Sequence, residues 1–489
     1  MGLLAMAGCT LLERAGPLPP VTEPPIRAVV APALPETPTV APTVPTAVTA
    51  PTPAAPLAAR ATIRLGAWGS SRTLAALDRA LPTFKKQEPS IEVVPDLDAT
   101  RSPDAAFERL RAADQPDVER IAPEDVFNAT AGGLLYVLNP LYTRDMRDDL
   151  FAAGVRAARP GPGGEMGVVS LGAAYLAVFY NVLQAEAAGI DVPASWAAGW
   201  DIDTFETTAR RMLVGSREQP DRFGLAMVAE VTRPWMTAAT GPNPAGAFFS
   251  ADESTSTLAS VEHAGVLRRL MEWQTKLTFE LPVPERFPAA FNGGLVSFYV
   301  DFSDFAPAVR STVDWALAPL PGWNDRSGFS LANELCFGIG AASKQPEAAW
   351  RLLRFLLEPD GQAAFTRADA MVPFRREILG EPAFREPNRM PRDRGIWVDA
   401  VQRAVQAPSN PASKAWHVAT GPLINPVRSG EVTVEAYLAQ ADTLITRQLR
   451  ARDWSATKNR PGYRQPLPAL NLRITPSPTA SPSPAPGTR

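Results

Sequence analysis

The sequence predicts an α/β fold of two lobes, and three observations support this prediction. Apolar segments of strand length alternate with amphipathic segments of helix length from about residue 60 to about residue 465. At the start of this region, strand, helix and strand follow one another at a spacing typical of a βαβ unit and therefore of a parallel sheet. The alternating region is also longer than one hydrophobic core usually supports, which favours two lobes.

The first βαβ unit covers three successive segments. Residues 61–67, ATIRLGA, alternate apolar and polar side chains and are predicted to form a strand. The next segment, SSRTLAALDRALPTFKKQ, has apolar residues at helical spacing and a serine or threonine available as N-cap. Pro82 is expected to kink this helix or to end its first part. The following IEVVP is predicted to be the second strand.

The same alternation continues along the chain. Four further segments are predicted to be strands, namely PDVERIA, YLAVFYN, DWALAPLP and ELCFGIGAA. PEAAWRLLRFLL is a predicted helix with Pro346 at its first position and an apolar stripe of Trp350, Leu353 and Leu357. Cys336, inside an apolar strand, is interpreted as a buried, inert thiol.

Proline-rich tracts border the folded part. Residues 10–59 are rich in proline and threonine and are expected to form a disordered, semi-rigid linker of polyproline II type. Residues 466–489 are predicted to be a disordered Pro/Ser tail. We expect neither tract to pack a core.

Composition excludes several classes of function. A net charge of -3 gives no basic surface field, so nucleic acid is not an expected partner. Cys9 and Cys336 are too few for a disulfide framework, and neither belongs to a Cys-x-x-Cys motif. His263 and His417 are the only imidazoles, so a His/Cys metal site is nearly excluded and no cofactor is expected. No stretch approaches the roughly 18 to 20 apolar residues that span a bilayer.

Four stretches carry a resemblance to a known family. In order, they are TIRLGAWGSSRTLAALDRALPTFKKQEPSIEVVP, AAYLAVFYNVLQAEAAGIDVPASWAAGWDIDTFETTARRML, FPAAFNGGLVSFYVDFSDFAPAV with DWALAPLPG, and ELCFGIGAASKQPEAAWRLLRFLLEPDGQAAFTRADAMVPFRREIL. They resemble the extracellular solute-binding proteins of ABC transporters, in the family whose ligands are mostly sugars. RSGEVTVEAYLAQADTLI matches the family's final turn and helix. The resemblance runs from about Thr62 to Leu449.

This resemblance implies a two-lobed periplasmic-binding-protein-like fold, each lobe a mostly parallel sheet flanked by helices, with a ligand cleft at the hinge. The expected boundaries are 60–172 and 328–368 for lobe 1, and 173–327 and 369–465 for lobe 2. It also implies a monomeric binding protein, not an enzyme, that takes a sugar or oligosaccharide between the lobes. The bound solute would then be delivered to the transmembrane subunits of an ABC permease.

The N-terminus adds a second resemblance. Met6-Ala7-Gly8-Cys9 is similar to the lipobox of bacterial lipoproteins, which implies that Cys9 is acylated and that residues 1–8 are removed. The alternative is an ordinary cysteine in a frayed terminus. Residues 1–9 lack a charged n-region, so we interpret them as a truncated lipoprotein signal. The expected location is extracytoplasmic, at the outer face of the cell membrane or in the periplasm.

The first candidate ligand-binding residues follow predicted strands. Trp68, Ser70 and Ser71 come after the first strand, with a core aromatic and a helix N-cap as the structural alternatives. Glu124 and Asp125 stand where the family often places a ligand-binding carboxylate. Their alternative role is a charge that favours a helix N-terminus.

Further candidates come from the middle of the chain. Tyr175 lies near the first crossing between lobes, with core packing as its alternative. Trp235 occupies a region that supplies a cleft aromatic in the family. Tyr299 and Asp301 follow a Gly-rich turn at a loop expected to line the cleft.

The last candidates lie near the return crossing and beyond it. Asn333 and Glu334 precede a strongly apolar strand, where a buried carboxylate needs a partner, either a ligand or a structural salt bridge. Trp416 and His417 match an aromatic pair that the family uses as a stacking platform, with a packed helix face as the alternative. Trp397 is expected in the core.

Two other functions stay open at this point. The same fold binds non-sugar solutes such as peptides, polyamines or phospho-compounds. A secreted glycan hydrolase would need paired carboxylates, for which Asp301, Glu334 and Glu124 are available. No Ser/His/Asp or nucleophile-elbow pattern is present in support of hydrolysis.

Overall fold

The computed structural model describes residues 60–450, except 148–157, 161–163, 216–219, 242–246, 274–286, 325–326, 386–389, 392 and 422–424. The predicted signal with Cys9, the linker, the C-terminal tail and the end of the predicted second lobe lie outside the described residues.

Strands and helices alternate along the described chain. The strands are β1 Ala61–Trp68, β2 Ile91–Asp98, β3 Val118–Ile121, β4 Ala158–Pro160, β5 Met166–Asn181, β6 Val214–Gly215, β7 Pro220–Met227, β8 Val296–Phe302, β9 Trp315–Ala318, β10 Ser330–Ile339, β11 Val372–Pro373 and β12 Ala404–Val405. The helices are α1 Ser71–Gln87, α2 Pro103–Arg109, α3 Val126–Ala131, α4 Asn139–Asp145, α5 Val182–Ala187, α6 Ile202–Arg211, α7 Thr232–Thr240, α8 Val261–Glu272, α9 Phe287–Asn292, α10 Pro346–Leu357, α11 Pro359–Arg367, α12 Arg376–Gly380, α13 Pro382–Arg385, α14 Gly395–Arg403, α15 Ser413–Ala419, α16 Asn425–Arg428 and α17 Val434–Arg450. Short 3-10 helices cover Pro123–Asp125, Ala229–Val231 and Ser303–Ala308.

Helix α1 shows how local sequence sets an element. Ser70 caps it by accepting a hydrogen bond from the Thr73 amide at 3.2 Å, and lysines in the last turn complement the helix dipole. Leu74, Leu77 and Phe84 are buried at helical spacing. Pro82 lies inside the helix, which continues to Gln87, so the proline does not end it, and the alternative of a kink at Pro82 stays a prediction.

The sheet is mixed. Strands β1, β2 and β3 are parallel, as are β7 and β8, whereas β10 is antiparallel to both β3 and β5, and β5 is antiparallel to β8. The main strand order is β2-β1-β3-β10-β5-β8-β7-β6. The α/β prediction is confirmed, while the prediction of mostly parallel sheets holds only at the outer strands.

Strand β5 joins two halves of this sheet. Its first part pairs with β10, with Ala332 of β10 opposite Tyr175, and its second part pairs with β8 and β9, beginning with Leu176 opposite Phe302. We call β2-β1-β3-β10 with the first part of β5 the first sheet half. The second part of β5 with β8, β9 and β7 is the second sheet half. The predicted lobe boundaries stay predictions.

Buried aromatic side chains pack against the second sheet half. Trp235 of α7 is fully buried, with its ring centroid 5.6 Å from that of Trp273 and 6.5 Å from that of Phe205. The predicted core residues Phe179 and Trp397 are also buried, with ring centroids 6.0 Å apart. Cys336 is buried in β10, as predicted.

The helix bounds also match the sequence in the C-terminal half. Helix α10 begins at Pro346, and its predicted stripe is buried. Within the described ranges, no helix combines the length and the apolar character that crossing a membrane requires.

Replacing Gly224 by alanine tests how closely α6 packs on β7. A Cβ there would lie 1.8 Å from the Ala209 carbonyl oxygen, so the helix must shift. We expect Gly224→Ala to lower the free energy of unfolding by about 1–3 kcal/mol in urea denaturation. Gly265→Ala on α8 is the matched control because a Cβ meets nothing within 4 Å there. A Gly224→Ala protein as stable as that control would contradict the packing.

Candidate functional site

A central chamber lies where the two sheet halves meet. Its volume is about 80 Å³, and it is lined by Pro123, Glu124, Glu230, Arg233, Phe302, Leu331, Ala332, Asn333, Ala407, Trp416 and His417. The 3-10 helix after β3 supplies one wall, β10 supplies the floor, and α7 and α15 supply the opposite wall. The chamber therefore collects side chains from segments that are far apart in the sequence.

Lysine 414 connects the walls of the chamber. Its Nζ lies 3.0 Å from Asp125 Oδ2, 2.9 Å from Asp104 Oδ1 and 4.0 Å from Glu124 Oε1. Burial opposes the charge of Lys414, but the neighbouring carboxylates outweigh it and raise its pKa. Burial raises the pKa of Asp125 to about 7, although the lysine opposes this shift. Ion pairs thus tie helix α15 to α2 and to the 3-10 helix that follows β3.

Histidine 417 is the second link across the chamber. Its Nε2 lies 3.5 Å from Glu124 Oε1, and the imidazole is partly buried. Burial lowers the pKa of His417 to about 4, and the nearby charges of Arg233 and Lys414 add to this shift. The ring is therefore neutral at pH 7, and its contact with Glu124 is not an ion pair at that pH.

Trp416 and Arg233 form the wall contributed by α15 and α7. Arg233 lies over the Trp416 ring with its Cζ 5.1 Å from the ring centroid, and it donates to the His417 carbonyl and to Thr420 Oγ1 at 2.8 and 2.9 Å. Phe248 packs edge-on against the same indole. Trp416 is only 1% exposed, so in this conformation its ring is occupied by protein neighbours.

The first candidate loop carries a second aromatic–arginine pair. Arg120 lies over the Trp68 ring at 4.1 Å from the centroid, and Trp68 Nε1 donates to the Arg120 carbonyl at 2.9 Å. Gly69 has φ +122°, and a Cβ there would lie 1.9 Å from Arg120 Nη1, so glycine permits this stack. Ser70 is the N-cap of α1, and Ser71 is exposed at its first turn. None of these residues lines the chamber.

Tyr299 and Asp301 form a hydrogen-bonded pair on β8. The tyrosine hydroxyl donates to Asp301, which also accepts from the Phe302 amide at 2.7 Å. Burial raises the pKa of Asp301 to about 7, and Asp304 and Glu230 raise it further. The Tyr299 ring is buried among phenylalanines, so it belongs to the core.

Three further candidates are buried beside the chamber rather than at its surface. Tyr175 is 1% exposed, and burial together with Glu334 raises its hydroxyl pKa. Glu334 is 3% exposed and accepts from Cys336 Sγ at 3.7 Å. Trp235 is fully enclosed by its aromatic cluster. The structure thus brings four predicted residues to the chamber wall: Glu124, Asn333, Trp416 and His417.

Comparison with known proteins then identifies the family. The model of the bacterial extracellular solute-binding proteins matches residues 68–363, more than half of the chain. The chain belongs to this family. No curated protein sequence matches it.

Solved structures of solute-binding proteins share the fold. The maltose/maltodextrin-binding domain MalE from Bdellovibrio bacteriovorus, bound to maltotriose, is 17% identical with a TM-score of 0.64, over 80% of this chain and 100% of the other. The substrate-binding protein Lmo0181 from Listeria monocytogenes, in complex with cycloalternan, is 17% identical with a TM-score of 0.65, over 79% and 98%. The GacH receptor of Streptomyces glaucescens, solved with acarbose, is 18% identical with a TM-score of 0.63, over 80% and 99%.

Several charged residues at the chamber were not among the ligand-binding residues predicted from the sequence. Glu230 and Arg233 line it, Lys414 bridges it, and Arg120 covers Trp68. Lys414 stands directly before the Ala-Trp-His segment and shares one face of α15 with His417, a helical spacing that could have revealed it. Nothing local in the sequence distinguishes Arg120 or Arg233.

The buried imidazole predicts a defined dependence of stability on pH. A histidine in the unfolded chain titrates near 6.5, and His417 in the folded chain near 4. Between these values the unfolded chain binds the extra proton, so stability falls as the pH drops through this window. His417→Gln removes the linkage. Between pH 7 and pH 4.5, we expect the wild type to lose about 1–3 kcal/mol more unfolding free energy than the variant.

His263 and Asp125 are present in both proteins, so their titrations cancel in the difference between the two curves. Chemical denaturation at several pH values provides the measurement. Parallel stability profiles for the two proteins would show that His417 is not buried in its neutral form.

Proposed function

We propose that this chain is the receptor of an ABC importer, that it binds a sugar or oligosaccharide in the central chamber, and that it delivers the solute to a membrane permease. The observation that carries the proposal is the chamber itself. It lies at the junction of two sheet halves and combines an indole, a carboxylate, an amide and a guanidinium. Aromatic rings with planar polar groups are the side chains that suit a hydroxyl-rich ring.

The family and the fold support a solute in this position. The three structural relatives described above were solved with maltotriose, cycloalternan or acarbose. At about 80 Å³, the chamber is smaller than typical ligand pockets of about 300–1,000 Å³. We infer that the solute enters when the walls separate, which requires breaking the Lys414 ion pairs, and that hinge closure then surrounds it.

Individual residues receive proposed roles from their positions. Asn333 is the one exposed residue of β10, and it lines the chamber, so we assign its amide to direct solute contact. Glu124 and His417, which belong to opposite walls of the chamber, are assigned the same role. Trp68 becomes a stacking surface if Arg120 moves away on opening. Supporting roles in the walls are assigned to the buried residues Tyr175, Trp235, Tyr299 and Glu334.

A non-sugar solute is the second candidate, because charged side chains of both signs lie at the chamber. Arg233, Lys414, Glu124 and Glu230 place both signs of charge at the chamber, as a zwitterionic peptide would require. A glycan hydrolase is a weaker alternative because, of the carboxylates available for paired roles, Asp301, Glu334 and Glu124, only Glu124 lines the chamber. Turnover of chromogenic glycosides would overturn the receptor assignment in favour of that enzyme.

A ligand screen tests the proposed function. A solute at about 100 times its Kd stabilises the native state by about 2.7 kcal/mol, so thermal shift detects it. The panel contains mono- to pentasaccharides of several linkages, di- and tripeptides, polyamines and sugar phosphates. We expect the largest rise in melting temperature with an oligosaccharide. A rise with peptides or amines alone would replace the sugar assignment.

Asn333→Ala then tests the site with the solute found in that screen. Because the side chain is exposed and lines the chamber, we expect an affinity loss of about 1–2 kcal/mol by calorimetry with an unchanged melting temperature. Thr62→Ala is the matched control, since Thr62 is an exposed strand residue that does not line the chamber. Equal affinities of the two variants would remove Asn333 from the site.

We also propose that an acylated Cys9 anchors the receptor to the outer face of the membrane and that the proline-rich segment is its spacer. Two or three acyl chains hold a protein firmly, whereas one does not. We expect wild-type protein in the membrane fraction of a bacterial host and Cys9→Ser protein in the aqueous fraction. Mass spectrometry of the extracted N-terminal peptide checks the modification. An unmodified Cys9 in membrane-extracted protein would overturn the anchor.

A further inference from the structure

The segment that follows the last described helix begins beside a second, larger cavity. We call this space the side cavity; its volume is about 360 Å³. The residues that line it include three aromatic side chains and three polar ones, Phe248, Phe249, Trp416, Glu253, Gln402 and Gln406. Trp416 also lines the central chamber, so a group bound in the side cavity packs against a wall of that chamber.

The Trp416 indole at this cavity is buried without a hydrogen-bond acceptor. Its ring meets that of Phe248 edge-on with centroids 5.4 Å apart, and the residue is 1% exposed. Among the described residues, none accepts a hydrogen bond from Trp416 Nε1. An unsatisfied buried N–H is unfavourable, and most side-chain hydrogen bonds in proteins are made to the backbone or to water. The lining therefore suits a peptide segment, which brings both carbonyl groups and a side chain.

Glu253 gives the side cavity a single negative charge. No other charged residue lines the cavity within the described part of the chain, and the Glu253 carboxylate has no ion-pair or hydrogen-bond partner there. Its backbone has φ +53°, and its amide donates to the Ser250 carbonyl at 2.8 Å. A left-handed conformation is unfavourable for glutamate, and the hydrogen-bonded turn holds it. The fixed carboxylate favours a cationic partner.

Helix α17 ends next to the turn that carries Glu253. Thr446 Oγ1 accepts from the Ser256 amide at 3.0 Å, and Arg450 Nε donates to the Ser254 carbonyl at 3.3 Å. Arg450 is the last residue of α17. An extended chain spans at most about 3.6 Å per residue, so a residue four positions after Arg450 lies within about 14 Å of it. The chain that follows α17 therefore starts within reach of the side cavity.

The sequence after α17 matches the lining in chemistry. It begins Ala-Arg-Asp-Trp-Ser at residues 451–455, and residues 451–465 contain four cationic side chains and one anionic side chain. In an extended segment, alternate side chains point to the same side, which puts Arg452 and Trp454 together and Asp453 on the opposite side. A guanidinium and an indole are the groups that complement a carboxylate and an aromatic wall.

We propose that residues 451–455 occupy the side cavity, with the Trp454 indole against the aromatic wall and the Arg452 guanidinium paired with Glu253. The cavity then holds the chain's own segment and not a solute, and the contact supports the Trp416 wall of the central chamber. Because the segment is joined directly to α17, it docks at an effective concentration on the order of millimolar. The docking does not depend on which solute the central chamber binds.

Disulfide trapping in the full chain tests this contact. The variant Gln402→Cys/Ser455→Cys places one thiol at the cavity and one beside Trp454, in a Cys9→Ser background where the only other thiol is the buried Cys336. The matched control is Thr443→Cys/Ser455→Cys. Thr443 is exposed on α17 outside both cavities. At 1.5 Å per helical residue it lies about 10 Å before Arg450, so it is also within reach of the segment.

We expect the Gln402 pair to form an intramolecular disulfide at least tenfold faster than the Thr443 pair, because only a docked segment holds the two thiols at bonding distance. Oxidised glutathione is the oxidant, no solute is added, and peptide mass mapping gives the rates. Equal rates for the two pairs would overturn the docking. Disulfide-linked dimers whose yield rises with protein concentration would assign the cavity to a second copy and overturn it as well.

Hydrogen exchange gives a second readout without added thiols. We expect Trp454→Ala to speed amide exchange in residues 401–409 at least threefold, and Trp454→Phe to keep most of the wild-type protection. Tyr463→Ala, an aromatic change outside the docked residues, is the matched control and should leave exchange unchanged. Exchange that is the same in wild type and Trp454→Ala would contradict the docking and leave the receptor assignment standing, since no solute takes part.

A charge exchange tests the proposed ion pair. Arg452→Glu places a second negative charge beside Glu253, so we expect it to slow the trapping of the Gln402 pair at least fivefold. Adding Glu253→Arg restores opposite charges and should return the rate to within about twofold of the starting value. A rate that stays low in the combined variant, or one that Arg452→Glu does not change, would remove this ion pair from the proposal.

Discussion

Strand β5 is the constraint on which the rest of the structure depends. It is 16 residues long and almost continuously buried, and it pairs with β10 through its first part and with β8 and β9 through its second. One register therefore fixes both sheet halves, since a slip of one residue would turn every side chain of the strand to the opposite face. The chamber lies at the point where the pairing partner of β5 changes, close to Tyr175 and Leu176.

The chamber walls depend on charge pairing as well as on packing. Arg120 covers Trp68, Arg233 covers Trp416, and Lys414 links α15 to carboxylates beyond the first sheet half. An arginine stacked over an indole stabilises both side chains, because the ring attracts the cation and the guanidinium restricts the orientation of the ring. The same aromatic residues would be free for a ligand only if their arginines moved.

The sequence predicted the elements well because their signals are local. The N-cap at Ser70, the proline at position 346 and the buried stripe of α10 each need only a few neighbouring residues. The antiparallel return of β10 was not predicted, because strand direction depends on partners more than a hundred residues away. The proline at position 82 does not end α1, and the helix has buried residues on both sides of it.

The candidate site was predictable only in part, because some of its contacts join segments that are distant in the sequence. Glu124, Trp416 and His417 were predicted from the family resemblance, and Asn333 from its place next to a strongly apolar segment. The position of Trp235 in the aromatic core and the roles of Arg120 and Arg233 arise from packing between distant helices and strands, which no short motif encodes. Family resemblance locates a cleft, whereas the pairing of Arg120 with Trp68 and of Arg233 with Trp416 depends on three-dimensional packing.

The ion pairs of Lys414 affect the apparent affinity of the protein through residues that do not contact a ligand. If only a conformation with separated walls admits solute, the apparent dissociation constant equals the intrinsic one divided by the fraction of molecules in that conformation. Every ion pair that favours the joined walls lowers this fraction. Asp104, exposed at the far end of the bridge, then sets part of the working concentration range of the protein without contacting what it binds.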